Sequence, residues 1–307
     1  MPASFLPSAF LREFATLGAM TSASSNAAAA VDRVEDAVRD ASPALRVLAR
    51  LGFFSKGIVY MTVGVLALLA ALNRGGETTD QRGAMQTILN QPFGRTMLAV
   101  GGTGLIGYAL WRLIQSLFDP EHTHGTGPKE LARRGARFVS GVAYGGLGVA
   151  AWQMVLRGGG GGGGGGGNRT EDWTATLMAQ PAGPWLAGAV GLVIIGVGVW
   201  QIWRAWKSKL GDHLILDKWS APMRDWIIRF GRAGYGARGI IFCITGIFMI
   251  VAARNHNAGE AKGFGEALQY VLGMSYGWIM LAAIALGLIA YGLFQLVEAR
   301  YRKIEVC

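Results

Sequence analysis

The chain has 307 residues, 51% of them hydrophobic and 16% charged, against about one quarter charged in a soluble domain. With a positive mean hydropathy, this composition excludes an ordinary soluble protein and points to the membrane, so the net charge of +10 reads as a topology signal before it suggests nucleic acid. Two cysteines, Cys243 in an apolar run and Cys307 at the last position, argue against a disulfide framework or a thiolate metal site.

Residues 1–45 read as a tail and linker. FLPSAFLREFATLG (5–18) has the pattern of a short amphipathic helix on a membrane surface, SASSNAAAA (22–30) that of a linker, and DRVEDAVRD (32–40) that of a charged helix ending at DASP. Residues 1–30 lack the basic region, apolar core and cleavage site of a signal peptide.

The next segment, 46–118, holds RLGFFSKGIVY (50–60) leading into an apolar run at about 53–72. A semi-polar stretch, AMQTILN (84–90), follows, and then QPFGRTML (91–98) leads into a second run at about 96–117. A bilayer crossing takes about 20 helical residues, so both runs are predicted transmembrane helices. Met85, Ile88 and Leu89 recur at helical spacing, which predicts a short amphipathic helix at the interface.

The pattern returns over 130–207. RGARFVSGVAY (134–144) heads a run at about 138–156, DWTATLMA (172–179) is the semi-polar stretch, and QPAGPWL (180–186) heads a run at about 185–206. Ten glycines, 158–167, are inserted here as a flexible low-complexity segment. They make no phosphate-binding loop, because NRTED follows in place of a lysine and no strand precedes them.

A third copy covers 228–300. RAGYGARGIIF (232–242) heads a run at about 238–253, FGEALQYVL (264–272) is its semi-polar stretch, and LGMSYGWIM (272–280) leads into about 277–297. The fifth run reaches span length only by starting near Tyr235, which predicts Arg238 at the interface or snorkelling to it. Gly57, Gly141 and Gly239 correspond, as do Gly94, Gly183 and Gly277. The expected fold is therefore all-α: six transmembrane helices as three repeated hairpins, each with a short interfacial helix. Glycine-rich faces are expected to let the helices pack closely.

Charge sets the expected orientation. The two termini and the connections after the second and fourth spans carry 22 of the 29 Lys and Arg, and the other three connections carry seven. The positive-inside rule then puts both termini in the cytoplasm and the short helices on the outer face. Trp111, Trp200, Trp203 and Trp206 at one end, with Trp185 and Trp278 at the other, read as an aromatic belt.

No catalytic, cofactor or metal set emerges. His122, His124, His213 and His256 all fall in connections, which disfavours a haem between spans. No acid lies deep in a span, and Glu298 at the end of the sixth is the nearest. Aligned units put Arg112, Gln201 and Gln295 at one level, Gln115, Arg204 and Glu298 at another, and Lys56, Ser140 and Arg238 at a third. Lys56, Arg112, Arg204, Arg238 and Glu298 are thus the candidate polar layer near the cytoplasmic mouth. Anchoring to lipid head groups is the competing and stronger explanation for these charges.

The three lead-in sequences and their partner helices, over about 45–300, resemble the bacterial membrane proteins grouped as domain of unknown function 1206. The resemblance implies a multi-pass protein of the bacterial inner or plasma membrane and no catalytic residues. The second copy departs from the pattern, with Ser140 where the others have Lys56 and Arg238. The leading expectation is a noncatalytic membrane protein supporting the envelope or a partner. A small-solute transporter or channel with a polar cytoplasmic mouth is the alternative, and an intramembrane enzyme ranks last. The expected partners are the lipid bilayer and a membrane-protein partner or further copy, with no cofactor and no nucleic acid.

Overall fold

A computed structural model describes residues 42–117, 128–157, 166–207, 210 and 219–302. The tail before residue 42, His122, His124, His213, the first eight residues of the glycine run and Cys307 lie outside the described residues.

The described residues form helices and short connections. The long helices are α1 (Ser42–Ala71), α3 (Gly94–Leu117), α4 (Pro128–Arg157), α6 (Gly183–Lys207), α7 (Ala221–Asn255) and α9 (Gly277–Tyr301). Between the members of each pair lies a short helix: α2 (Gln81–Leu89), α5 (Gly166–Met178) or α8 (Phe264–Leu272). All six long helices are apolar and long enough to cross a membrane, and a helix satisfies its own backbone in lipid. The protein is a membrane protein of three repeated units: α1–α3, α4–α6 and α7–α9.

Local chemistry starts and stops these elements. The Asp80 side chain accepts from the Arg82 and Gly83 amides at 3.0 and 2.9 Å and caps α2. Glu266 accepts from the Gly263 amide at 2.7 Å at the start of α8. Gly94, Gly183 and Gly277 each donate an amide hydrogen bond of 2.8 Å to Gln91, Gln180 or Met274 three residues back. A Cβ at any of the three would run into carbonyl oxygens of the preceding short helix or its last turn. That collision is why glycine repeats at the head of every even-numbered span.

Packing between units obeys the repeat. Each unit's second long helix lies on the first long helix of the next: α3 on α4, α6 on α7, α9 on α1. A Cβ added at Gly57, Gly141 or Gly239 would sit 2.9, 3.2 or 2.7 Å from the oxygen of Gly292, Ala109 or Gly198 respectively. One helical stretch further on, Gly64, Gly148 and Gly246 stand 2.9, 3.0 and 2.8 Å from the oxygens of Ala285, Gly102 and Gly191 in the same sense. Small residues at these positions allow backbone approach where no hydrophobic driving force separates protein from lipid.

Packing within units breaks the repeat. In the first unit α1 lies on α3 through Gly52, Gly104 and Gly107, and in the third α7 lies on α9 through Gly234 and Gly287, with Ala290 buried at the position of Gly107. The corresponding residues of the second unit are Ala136, Val193 and Gly196. Val193 is 58% exposed, a Cβ at Gly196 would meet nothing within 4 Å, and α4 and α6 do not pack closely. Round the bundle the order is α4, α3, α1, α9, α7, α6, with a seam open between the first and the last. Valine stands at the position of Gly104 and Gly287, and a branched side chain there does not permit the backbone approach that glycine does.

Three expectations are corrected. The fifth span is long, not short: α7 starts at Ala221, with Ser220 and Pro222 at its head, and carries exposed Arg224, Asp225, Arg229 and Arg232 out of the apolar zone as helix. Arg238 is consequently midway along α7, and its guanidinium is turned into the bundle, where it donates to the Tyr291 hydroxyl, rather than snorkelling outward. Trp111 is only 5% exposed, because α3 is covered by α1 on one side and α4 on the other, so it does not belong to the belt. Trp185, Trp200, Trp203, Trp206 and Trp278 are exposed.

Candidate functional site: a cation–tyrosine cluster inside the bundle

Where the three units meet, the interior is polar and aromatic. Lys56 is buried nine residues from the Val47 end of the first span, about 14 Å along the helix axis. Its ammonium lies 5.8, 5.0 and 5.2 Å from the ring centres of Tyr108, Tyr144 and Tyr291, one ring from each unit. Arg238 lies 5.1, 4.8 and 5.2 Å from the rings of Tyr60, Phe242 and Tyr291. Aromatic faces are negative and attract a cation most when water is excluded.

The rings also pack on one another edge to face. Tyr60 and Tyr291 have centroids 4.9 Å apart, Tyr108 and Tyr144 5.1 Å, and Tyr235 and Tyr291 5.2 Å. Such pairs orient the hydroxyls. Arg112 donates from Nε to the Tyr108 hydroxyl at 2.8 Å, and Arg238 from Nη1 to the Tyr291 hydroxyl at 3.1 Å. Tyr108 and Tyr291 occupy the same position of their units, and the second unit has Val197 there.

The cluster has two halves. The half nearer α9 is closed. With the Gln295 amide oriented to satisfy its neighbours, its oxygen accepts from Lys56 Nζ at 2.9 Å and its nitrogen donates to Glu298. Glu298 in turn pairs with Arg302 Nη1 at 3.1 Å. It is 3% exposed and is the one buried carboxylate among the described residues. Arg302 also stacks on Phe53, 4.8 Å from its ring centre.

The half nearer α6 is unmet. Gln201, 1% exposed, accepts from Arg238 Nη1 at 3.1 Å, but its own Nε2 has no partner among the described residues. Nor do Arg238 Nε and the Tyr144 hydroxyl, though all three atoms are buried. Buried donors are rarely left unmade, because each costs about 1–3 kcal/mol. Two of the three belong to side chains bonded to each other, Arg238 and Gln201, and the third to the tyrosine under Lys56, so an acceptor with negative charge would suit them.

The five candidate residues therefore do not form one layer. Lys56, Arg238 and Glu298 belong to the cluster proper, joined through Gln295, Tyr291 and Gln201. Arg112 adjoins it through Tyr108 and also reaches the Gln115 side-chain oxygen at 3.3 Å. Arg204 adjoins the cluster through Tyr235, whose ring is 4.7 Å away and packs on Tyr291, and lies 5.5 Å from the ring of Trp200. Of the other polar residues, the Ser55 hydroxyl bonds its own helix at the Leu51 oxygen, 2.7 Å away, and His256 ends α7 in a left-handed turn. The tyrosines are what a reading of charge alone passes over. Their signal was present: Tyr60 and Tyr144 each follow by four the residue aligned with Lys56, which puts them one turn along the same helix face.

The chain matches, three times over, the profile of a family described as Domain of Unknown Function (DUF1206), at residues 51–119, 136–208 and 233–302. It is 32% identical over 264 residues to "Uncharacterized protein YxxB" of Bacillus subtilis (strain 168), covering 86% of this chain and 94% of that protein. No solved structure matches it.

Proposed function

Given that the chain belongs to the DUF1206 family, we propose that it is a carrier of the bacterial inner or plasma membrane that takes an anionic group into the cluster around Arg238. Both termini are cytoplasmic in this reading, on the 22-to-seven charge split. The short helices α2, α5 and α8 then face outward.

One observation carries the proposal. The buried donors Arg238 Nε, Gln201 Nε2 and the Tyr144 hydroxyl lack partners beside a cluster that holds Lys56, Arg112 and Arg238 against a single carboxylate. Lys56 is buried, and Arg112 and Arg238 are half-buried; a charge held out of water costs free energy unless it is paired. Glu298 serves Gln295 and Arg302, so the Arg238 side keeps its excess of positive charge. A carboxylate or phosphate oxygen would accept from all three donors, and the guanidinium geometry of Arg238 suits either group.

The closed half favours a second reading. Lys56, Gln295, Glu298 and Arg302 form a satisfied chain joining α1 to α9, which by itself serves a rigid, noncatalytic supporting protein. Melting of the detergent-purified protein with millimolar acetate or inorganic phosphate separates the two. A carrier is stabilised by one of these anions, and its Arg238→Gln variant is not. Melting unaffected by either anion leaves only the supporting role.

A further inference from the structure

The open seam of the second unit lies between α4 and α6, the two helices that bear the buried Tyr144 and Gln201 of the unmet half. Its walls are the residues aligned with the closed seams of the other units. On α4 these are Ala136 and Val139, and on α6 Val190, Val193, Gly196 and Val197. Val139, Val190 and Val193 are well exposed. Their counterparts in the third unit, Ala237, Ile284, Gly287 and Ala290 among them, are buried. The seam is thus apolar and unfilled by protein.

The two helices that flank it are the ones that carry unpartnered buried side-chain donors towards Arg238. Tyr144, 8% exposed, is on α4, and Gln201 is on α6. Tyr144 is tied to the cluster by Lys56 over its ring, and Gln201 by its bond to Arg238. A hydrated ion would have no use for a valine-lined wall. A molecule with an anionic head and a hydrocarbon chain has use for both features, because the head completes the donors and the chain fills the seam.

We propose that the ligand of this site is a long-chain carboxylate that reaches it sideways from the bilayer. Its carboxylate accepts from Arg238 Nε, Gln201 Nε2 and the Tyr144 hydroxyl, and its acyl chain lies between α4 and α6. This rests on the anion reading of the cluster and narrows it to a membrane-resident amphiphile. No covalent step is involved.

The test uses radiolabelled oleate on the full-length protein in detergent, beside the acetate and phosphate melting series. Gly196→Phe places a ring beside the seam at a position where a Cβ meets nothing within 4 Å, and gel filtration and melting check that the variant folds. Leu286→Phe, exposed on α9 away from the seam, is the control. Oleate binds the wild type and Leu286→Phe alike, Gly196→Phe weakens it at least tenfold, and the small anions stabilise all three equally. Stabilisation by acetate or phosphate without oleate binding overturns the amphiphile and leaves the anion site standing. Oleate binding that Gly196→Phe does not weaken overturns the lateral route. If that variant changes the oligomeric state instead, the seam belongs to a second copy. If acetate, phosphate and oleate all leave the wild type unchanged, the anion reading itself falls.

Discussion

Lys56 of α1 reaches the side-chain oxygen of Gln295 in α9 at 2.9 Å, across the contact between the first and third units. The bond lies inside the bundle, and its far end is Glu298. It joins the beginning of the repeat to its end, so the energetics of this network and the closure of the bundle are coupled.

Removing the carboxylate should therefore destabilise the protein through the cations it leaves behind. Glu298→Gln is expected to cost about 3–5 kcal/mol, the usual cost of breaking one side of a buried pair. Adding Lys56→Met should recover much of it. Thermal melts in one detergent compare the three proteins, and equal melting of the wild type and Glu298→Gln would contradict the coupling.

The glycine contacts give a graded prediction. Leucine at Gly239 or Gly57 meets a backbone oxygen at 2.7 or 2.9 Å, whereas at Gly141 that contact is 3.2 Å. Overpacking of this kind costs about 1–3 kcal/mol or more. Gly239→Leu and Gly57→Leu should lower extracted yield and melting most, Gly141→Leu less, and Gly196→Leu least. A Gly196→Leu protein as impaired as Gly239→Leu would show that the second unit's seam is closed in the membrane.

Tyr291→Phe removes the hydroxyl that accepts from Arg238. The ring contacts of Tyr291 with Tyr60 and Tyr235 remain possible for phenylalanine. The loss should be that of one hydrogen bond to a charged donor, about 1.5–3 kcal/mol. Melting like that of the wild type would mean that the bond adds nothing to the fold.

The repeated units and six spans were legible because each lead-in and each interhelical glycine recurs at matching places. Charge made the polar residues visible but not their grouping. Lys56 and Arg238 come together through Tyr291, a residue whose polar character is slight in a composition window. The start of α7 was hidden because Arg224, Asp225, Arg229 and Arg232 end the apolar run, while the helix itself continues beyond it. The open seam could have been read from Val193, which stands where the other units have Gly104 and Gly287. The departure in one copy, not the recurrence among the three, marks the place where the bundle stays open.

Topology has an independent check. Fluorescent-protein fusion after Cys307 should give a cytoplasmic signal, and alkaline phosphatase inserted after Glu77, between α1 and α2, should be active. The reverse pattern would invert the assignment of the two faces and put Arg204 and Arg302 at the outer mouth.

The most direct test of the central claim is equilibrium binding of radiolabelled anions to the purified protein, wild type against Arg238→Gln. Saturable binding of one anion per chain is expected for the wild type, and its loss in an Arg238→Gln protein that still folds, as judged by gel filtration and melting. Binding that survives in folded Arg238→Gln, or a wild type that binds no carboxylate or phosphate, would show that the cluster holds the helices together and takes no ligand.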